Sequence, residues 1–351
     1  MKKTSKIFVA GHRGLVGAAI FRHLQDIGYA NIVTRTHAEL DLTSQIAVDA
    51  FFTEEKPEYI FLAAAKVGGI MANNTYPADF IRENLLIEIN IIDAAYRHGV
   101  KKLLFLGSSC IFPRMARQPM KEEYLMTGPL EPTNSAYAVA KIAGIEMCWS
   151  YNRQHGTQFL PVMPTNLYGP NDNFDLITSH ALPALIRKFH LAKLASDGNF
   201  EAIAKDEARF GPIPDDIKAS LCISSGQNTQ TPNTKHQTPK VILWGTGQPK
   251  REFLYVEDLA DACVYVMDNY EGTELVNIGT GKDKTIRELA EITREVVGFK
   301  GEMIFDESKP DGMPRKLLDV SKLSGFGWQA KTDLEDGIRK TYQWYLRELG
   351  N

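Results

Sequence analysis

The sequence is poor in cysteine, has no large excess of either charge and contains no long hydrophobic run. Its four cysteines, Cys110, Cys148, Cys222 and Cys263, are scattered without metal-ligand spacing. Neither a disulfide framework nor a metal site is therefore expected. With 40 basic against 43 acidic side chains, nothing points to nucleic acid or an anionic membrane as the main partner. No apolar stretch approaches the length of a membrane span. The opening "MKKTSKIFVAGHRG" is basic, but its apolar part is far too short for a signal-peptide core, so the expected compartment is the cytoplasm. No internal repeat is visible. What remains is the composition of an ordinary globular protein, 351 residues long, enough for one large core or two joined lobes.

Short β-branched and aromatic runs alternate with helical patterns. "KIFVA" (6–10) precedes "GHRGLVG", after which Val16, Ile20, Leu24 and Ile27 mark one face of a helix. "NIVTRT" (31–36), "EYIFLAAA" (58–65) and "KKLLFLGSS" (101–109) read as further strands. The stretch "NLLIEINIIDAAYRHG" (84–99) has helical length and is apolar nearly all round. It should be covered on one side by the sheet and on the other by a second subunit or by its own chain. This alternation implies an α/β protein with a doubly wound parallel sheet. The expected division is a Rossmann domain over 1–170, with the chain returning at about 252–280, and a smaller α+β substrate domain over 171–251 and 281–351. Within the latter, 194–240 is polar and weakly periodic. It reads as a surface insertion, helical near "FEAIAKDEARF" and mobile from Ser224 to Gln237.

Gly11, Gly14 and Gly17 stand between the first strand and the first helix. A tight turn there needs a backbone without Cβ, a pyrophosphate needs close approach, and a helix N-terminus supplies N–H donors to the anion. A nucleotide site is the expectation; the alternative is a turn whose glycines serve packing. Near the end of the second strand, Arg35 and His37 come first, with Arg13 inside the glycine turn. Cations there suit a 2′-phosphate and favour NADP. Glu39 and Asp41 keep NAD open, and Asp41 could instead meet the adenine edge.

Tyr137 and Lys141 in "YAVAK" stand four apart at a helix start, hence on one face. A phenol with a free pKa of about 10 works poorly at neutral pH. A lysine cation about 5 Å away is worth roughly 3 kcal/mol, or about two pKa units, and is expected to bring Tyr137 toward working range. Ser108 falls at the end of the preceding strand. Two residues on, Cys110 is either a buried apolar thiol or a reactive one.

The glycine triplet, strand-end serine and Tyr-x-x-x-Lys together resemble the extended short-chain dehydrogenase/reductases. "AGHRGLVG", "LAAAKVGGIMANNTYPADF", "LGSSCIFP", "EPTNSAYAVAKIAGIEMC", "MPTNLYGPNDNF", "WGTGQPKREFLYVEDLA" and "KPDGMPRKLLDV" resemble the members of that family that both epimerise and reduce a GDP-bound keto sugar. The likeness covers nearly the whole chain outside 194–240. It implies epimerisation at C3 and C5 of GDP-4-keto-6-deoxymannose, followed by NADPH-dependent reduction at C4. It further implies a reduction centre of Ser108, Tyr137 and Lys141, with Cys110 and His180 as the epimerisation pair. Cofactor contacts would come from Gly11, His12, Arg13, Gly14, Leu15, Val16 and Gly17. Others would come from Leu106, Gly107, Ser108, Ser109, Lys141, Pro164, Thr165, Asn166, Leu167 and His180. Contacts with the GDP-sugar would come from Lys188, Trp244, Arg251 and Asp311. His37 departs from the family, where a second permanent cation usually helps hold the 2′-phosphate. Histidine carries full charge only below about pH 6.5, so NADP preference is expected to be weaker or to rest on Arg13 and Arg35.

A cysteine and a histidine make chemical sense beside such a sugar. The C4 ketone acidifies hydrogens at both C3 and C5, and inverting a centre means removing a proton on one face and returning one on the other. That needs two groups astride the ring. Dehydratases of the same architecture carry an acidic pair where Ser109 and Cys110 stand here, so elimination of water lacks its carboxylate. A simple 4-epimerase would leave Cys110 and His180 idle, and a non-catalytic NADP sensor would have little use for both Tyr137 and Lys141. Related reductases pair through helices like 84–99 and 137–155, so a homodimer is the expected assembly.

Overall fold

In a computed structural model, residues 1–223 and 238–350 are described. From the N-terminus, β1 (Ile7–Ala10), α1 (Leu15–Asp26), β2 (Ile32–Val33), α2 (Gln45–Glu55) and β3 (Tyr59–Leu62) alternate. Two consecutive helices, α3 (Ile70–Thr75) and α4 (Pro77–Arg97), lead to β4 (Lys102–Leu106), α5 (Ser135–His155) and β5 (Phe159–Pro164). Next come β6 (Asn166–Tyr168), α6 (Ala181–Ser196), α7 (Phe200–Phe210), α8 (Asp215–Ser220) and β7 (Lys240–Trp244). The remainder comprises β8 (Lys250–Tyr255), α9 (Val256–Asn269), β9 (Val276–Ile278), β10 (Asp283–Thr285) and α10 (Ile286–Val297). It closes with β11 (Glu302–Asp306), β12 (Arg315–Lys316), α11 (Ser321–Gly325) and α12 (Leu334–Glu348).

The chain divides into two compact units. The first holds 1–167, 252–282 and 317–332; the second holds 168–251, 283–316 and 333–351. The segment 317–332, expected with the substrate domain, thus packs with the first unit. Its Leu318 bridges to Met120, while Leu323 and Trp328 join the core against α9.

In the first unit six strands run parallel in the order β2-β1-β3-β4-β5-β9. Strand alternation sends Phe8, Ala10, Ile60, Leu62, Leu103 and Phe105 to one face, with residues of α2, α4 and α5. Ile7, Val9, Phe61, Leu104 and Leu106 go to the other, with α1 and α9. Such a sheet, covered on both faces, is the doubly wound class. The order reverses between β1 and β3, so the crevice beyond their carboxyl ends is the place for a nucleotide.

Two expected elements differ in extent. The second strand is only Ile32–Val33. Beyond it Thr36 starts a turn instead, its N–H donating to Glu39 Oε2 at 2.7 Å and its carbonyl accepting from Leu40 at 2.9 Å. The helix expected from residue 84 begins earlier, with Pro77 in its first turn and Asp79 beside the positive end of its dipole.

The second unit contains β7 paired in parallel with β11, β12 paired in parallel with β8, and the helices α6, α7, α8, α10 and α12. Its interior corrects the reading of 194–240 as a surface insertion. Arg187 of α6 and Asp206 of α7 are fully buried and form a 2.8 Å ion pair. Arg187 also donates to the carbonyls of Phe210 (2.9 Å) and Gly211 (2.5 Å), satisfying acceptors at the end of α7. Tyr345 of α12 donates to the other Asp206 oxygen. The helix α7 is therefore built into the core, while Ser224 to Gln237 lie outside the described residues.

Candidate functional site

The glycine turn follows β1 directly. Gly11 has φ +84°, and a Cβ on it would stand 2.8 Å from the Ala64 nitrogen. On Gly17, a Cβ would fall 2.1 Å from the Gly11 carbonyl oxygen. These two glycines let α1 start hard against the turn. Gly14 has no such steric need, since its Cβ would meet only an ordinary 3.6 Å contact; it is the N-cap of α1. The result is a cradle of backbone at a helix N-terminus, facing the sheet's reversal point. These residues fit a dinucleotide pyrophosphate. His12, Leu15 and Val16 are part-buried along it, whereas Arg13 is exposed.

The residues expected around the adenosine ribose are less free than their charges suggest. Arg35 pairs with Glu55 of α2 and donates to the Thr34 carbonyl at 2.9 Å. Asp41 accepts from the Thr43 N–H at 2.9 Å and its hydroxyl at 2.7 Å; these bonds hold its carboxyl below the usual range. His37 is exposed.

At the carboxyl end of β4 the chain turns through Gly107 and Ser108 into a single 3₁₀ turn, Ser109–Ile111. The Ser108 hydroxyl donates to the Cys110 sulfur at 3.1 Å, and the Cys110 N–H donates back to that hydroxyl at 3.4 Å. Cys110 is thus part-buried and polar-paired, unlike Cys148 and Cys263, whose thiols are fully buried and pushed far up by desolvation. From α5, Tyr137 comes within interaction range of both Ser108 and Cys110. One turn on, the Lys141 ammonium lies 6.0 Å from the Tyr137 ring centre and 4.7 Å from that of Phe105.

One expectation reverses here. The tyrosine pKa is raised well above 10, not lowered. Burial is the main cause, the charges of Cys110 and Glu88 act in the same direction, and only the Ser108 hydrogen bond opposes. The lysine's effect is offset because its ammonium is 3.3 Å from the carboxylate of Glu88 on α4, with both side chains buried.

Pro164, Thr165, Asn166 and Leu167 lie on β5 and the step to β6, where Glu252 bonds Thr165 and Asn166. Its backbone carbonyl accepts from Asn166 Nδ2 at 2.7 Å. Its fully buried carboxylate accepts N–H groups of Thr280 (2.6 Å), Gly281 (2.7 Å) and Leu318 (2.9 Å).

His180 belongs to the second unit, at the N-cap of α6. Its ring is solvent-accessible, yet the surrounding protein disfavours the cation and the Lys316 charge adds to that, so its pKa is lowered. Trp244, Arg251 and Asp311 gather around the turn between β7 and β8 in the same unit. Asp311 accepts from the Thr246 N–H at 2.9 Å and its hydroxyl at 2.6 Å. Gly245, at φ +81°, leaves that carboxylate its space, since a Cβ there would sit 2.2 Å from it. Arg251 lies close behind, near enough for the Asp311 charge to act on it. The Trp244 indole is 60% exposed, available for stacking. Lys188, further along α6, is part-buried near Asp216, and burial lowers its pKa.

Three buried polar residues around the first-unit site were not anticipated. Asn84 fastens the loop after β3 by accepting from the Lys66 N–H (2.9 Å) and donating to the Lys66 carbonyl (3.0 Å). Glu252 and Glu88 complete the set. The signal for Glu88 was present as the one acid in the apolar run "NLLIEINII". Among the described residues, no group of three or more His, Cys, Asp or Glu is arranged to hold a metal, and no helix is long and apolar enough to cross a membrane.

Parallel sheet, glycine cradle and Ser-Tyr-Lys cluster define a dinucleotide-dependent enzyme of the reductase type. The chain belongs to the NAD dependent epimerase/dehydratase family, whose model matches residues 7–204 and 223–279. More particularly, it is similar to GDP-L-fucose synthase 1 of Arabidopsis thaliana, with 54% identity over 99% of this chain and 95% of the relative. GDP-L-fucose synthase of Escherichia coli (strain K12) is 49% identical over 97% of this chain and 96% of its own. Among solved structures, the GDP-mannoheptose C4 reductase MlghC from Campylobacter jejuni with NADP bound is 42% identical, with a TM-score of 0.83 over 99% of both chains.

Proposed function

We propose that this chain acts as a GDP-L-fucose synthase, inverting C3 and C5 of GDP-4-keto-6-deoxymannose and then reducing its C4 ketone. The observation that carries the reading is the Cys110 thiol, hydrogen-bonded to the strand-end Ser108 beside Tyr137. Reduction alone has no use for a thiol there. The glycine turn of residues 11–17 would hold NADPH, which would supply the hydride for C4. Ser108 and Tyr137 hydrogen-bond the C4 oxygen and stabilise the negative charge that develops there when C3 or C5 loses its proton. Cys110 and His180 exchange those protons on opposite faces of the ring. Tyr137, kept protonated by its raised pKa, then gives its proton to the C4 oxygen. Lys188 and Arg251 hold the diphosphate, Trp244 stacks on base or sugar, and Asp311 accepts from hydroxyls or the guanine edge.

Arg13 and Arg35 are the cations offered to a 2′-phosphate. The family resemblance and the NADP-bound relative support NADPH over NADH. A homodimer is part of the same proposal, supported by Ile89 and Tyr96 on α4 and Val139 on α5, which stay exposed. So is a cytoplasmic location, since all four cysteines are free thiols, as a reducing compartment keeps them.

The test is product analysis: the chain is incubated with GDP-4-keto-6-deoxymannose and either NADPH or NADH, and the sugar is read by NMR. The expected product is GDP-L-fucose, formed faster with NADPH. A C4-reduced sugar without inversion at C3 or C5 would make the chain a C4 reductase instead.

A further inference from the structure

Helix α4 carries a carboxylate where its neighbours are apolar. Glu88 is 1% exposed and Lys141 is 2% exposed, so each charge is almost wholly removed from water. Glu88 Oε1 lies 3.3 Å from Lys141 Nζ. Apart from that ammonium, neither Glu88 oxygen has a hydrogen-bond partner among the described residues. A lone buried carboxylate is expensive, and its one compensation here is the lysine. The packing makes room for the pair. Gly144, one turn beyond Lys141 on α5, would place a Cβ 2.8 Å from Glu88 Oε2 and 2.4 Å from the Phe105 ring. A glycine thus stands where α4's carboxylate and β4's aromatic ring press against α5.

We infer that Glu88 is a positioning residue of the reduction centre, fixing the Lys141 ammonium between the Phe105 and Tyr137 rings and setting how much of its charge Tyr137 feels. The inference rests on the reading of Tyr137 as proton donor. Its chemistry is electrostatic and needs no bond to break. Burial is the main cause of the raised Tyr137 pKa, and an ionised Glu88 adds to it, so the phenol stays protonated for its transfer. Burial pushes Glu88 itself up to about 7, so this influence switches on across neutral pH.

The experiment is the pH profile of NADPH oxidation with the 4-keto sugar for wild type, Glu88→Gln, Glu88→Asp and Tyr137→Phe. Removing the negative charge lowers the Tyr137 pKa. The basic limb, where the phenol loses its proton, therefore moves to lower pH in Glu88→Gln. Glu88→Asp, which keeps the charge, restores most of the wild-type position. A residue that only packs would alter rate or stability without moving that limb. An unmoved limb in Glu88→Gln, with Tyr137→Phe inactive in reduction, overturns the inference alone; an active Tyr137→Phe overturns the reading beneath it. Should Glu88→Gln fail to fold, Lys141→Met reads the same pair through carboxyl carbon NMR of glutamate-labelled protein. Glu88 then titrates at higher pH than in wild type, and an unchanged titration refutes the pairing.

Discussion

Tyr137 illustrates how one side chain answers to several neighbours at once. Sequence spacing put it one turn from Lys141, and the two do share a face of α5. Their separation alone suggested a phenol made more acidic. Desolvation and Glu88 reverse that direction, leaving a phenol that is a weaker acid than free tyrosine but holds its proton at neutral pH for transfer to the C4 oxygen. Replacing it with phenylalanine should slow C4 reduction by about 10² to 10⁴-fold. Solvent deuterium should still enter the keto sugar, though more slowly without the Tyr137 hydrogen bond to the C4 oxygen, because Cys110 and His180 exchange the protons. NADPH oxidation followed beside NMR of the sugar checks both halves; full reduction by Tyr137→Phe would remove the residue from its role. At this scale the pairs Ser108–Cys110 and Tyr137–Lys141 were legible because each spacing is local, and the resemblance to a known family joined the two pairs. Glu88, Asn84 and Glu252 were not, since their partners lie 53, 18 and at least 28 positions away. Only the folded sheet brings them together.

Among the elements, those with a clear period were read well and those fixed by single polar contacts were not. The alternation in β1, β3 and β4 puts successive residues into opposite cores, which the parallel-sheet reading anticipated. Thr36 and Glu39 end β2 early through a local turn that polar composition did not reveal. Helix α7 was read from its polarity as surface, yet one aspartate anchors it. Because Arg187 would be left buried and unpaired, Asp206→Ala should cost about 3–5 kcal/mol of stability. Urea denaturation measures this, and a loss below about 1 kcal/mol, as at an exposed pair, would contradict the buried geometry.

For the molecule as a whole, pH acts on stability as well as on chemistry. His190 is 4% exposed and bonds Tyr342 through Nδ1 at 2.9 Å. Burial, helped by Lys193 and Arg187, lowers its pKa to about 4. Its folded value lies below its unfolded one near 6.5, so its contribution is present above pH 6.5 and is lost as pH falls from there toward 4. The full difference corresponds to about 3 kcal/mol. Wild-type stability should therefore fall more steeply over that window than that of His190→Gln, which cannot titrate. Thermal melts at several pH values compare the two slopes, and equal slopes would show that the imidazole accepts a proton freely in the folded state.

Catalysis of both inversions and the reduction by one chain is the claim on which the functional reading turns. It is tested most directly by running the NADPH reaction in heavy water with wild type and Cys110→Ser, and locating deuterium in the sugar by NMR. Wild type should give GDP-L-fucose deuterated at both C3 and C5. Cys110→Ser should exchange far more slowly while still binding NADPH. A reduced sugar free of deuterium at both carbons, or exchange by Cys110→Ser at the wild-type rate, would contradict the account.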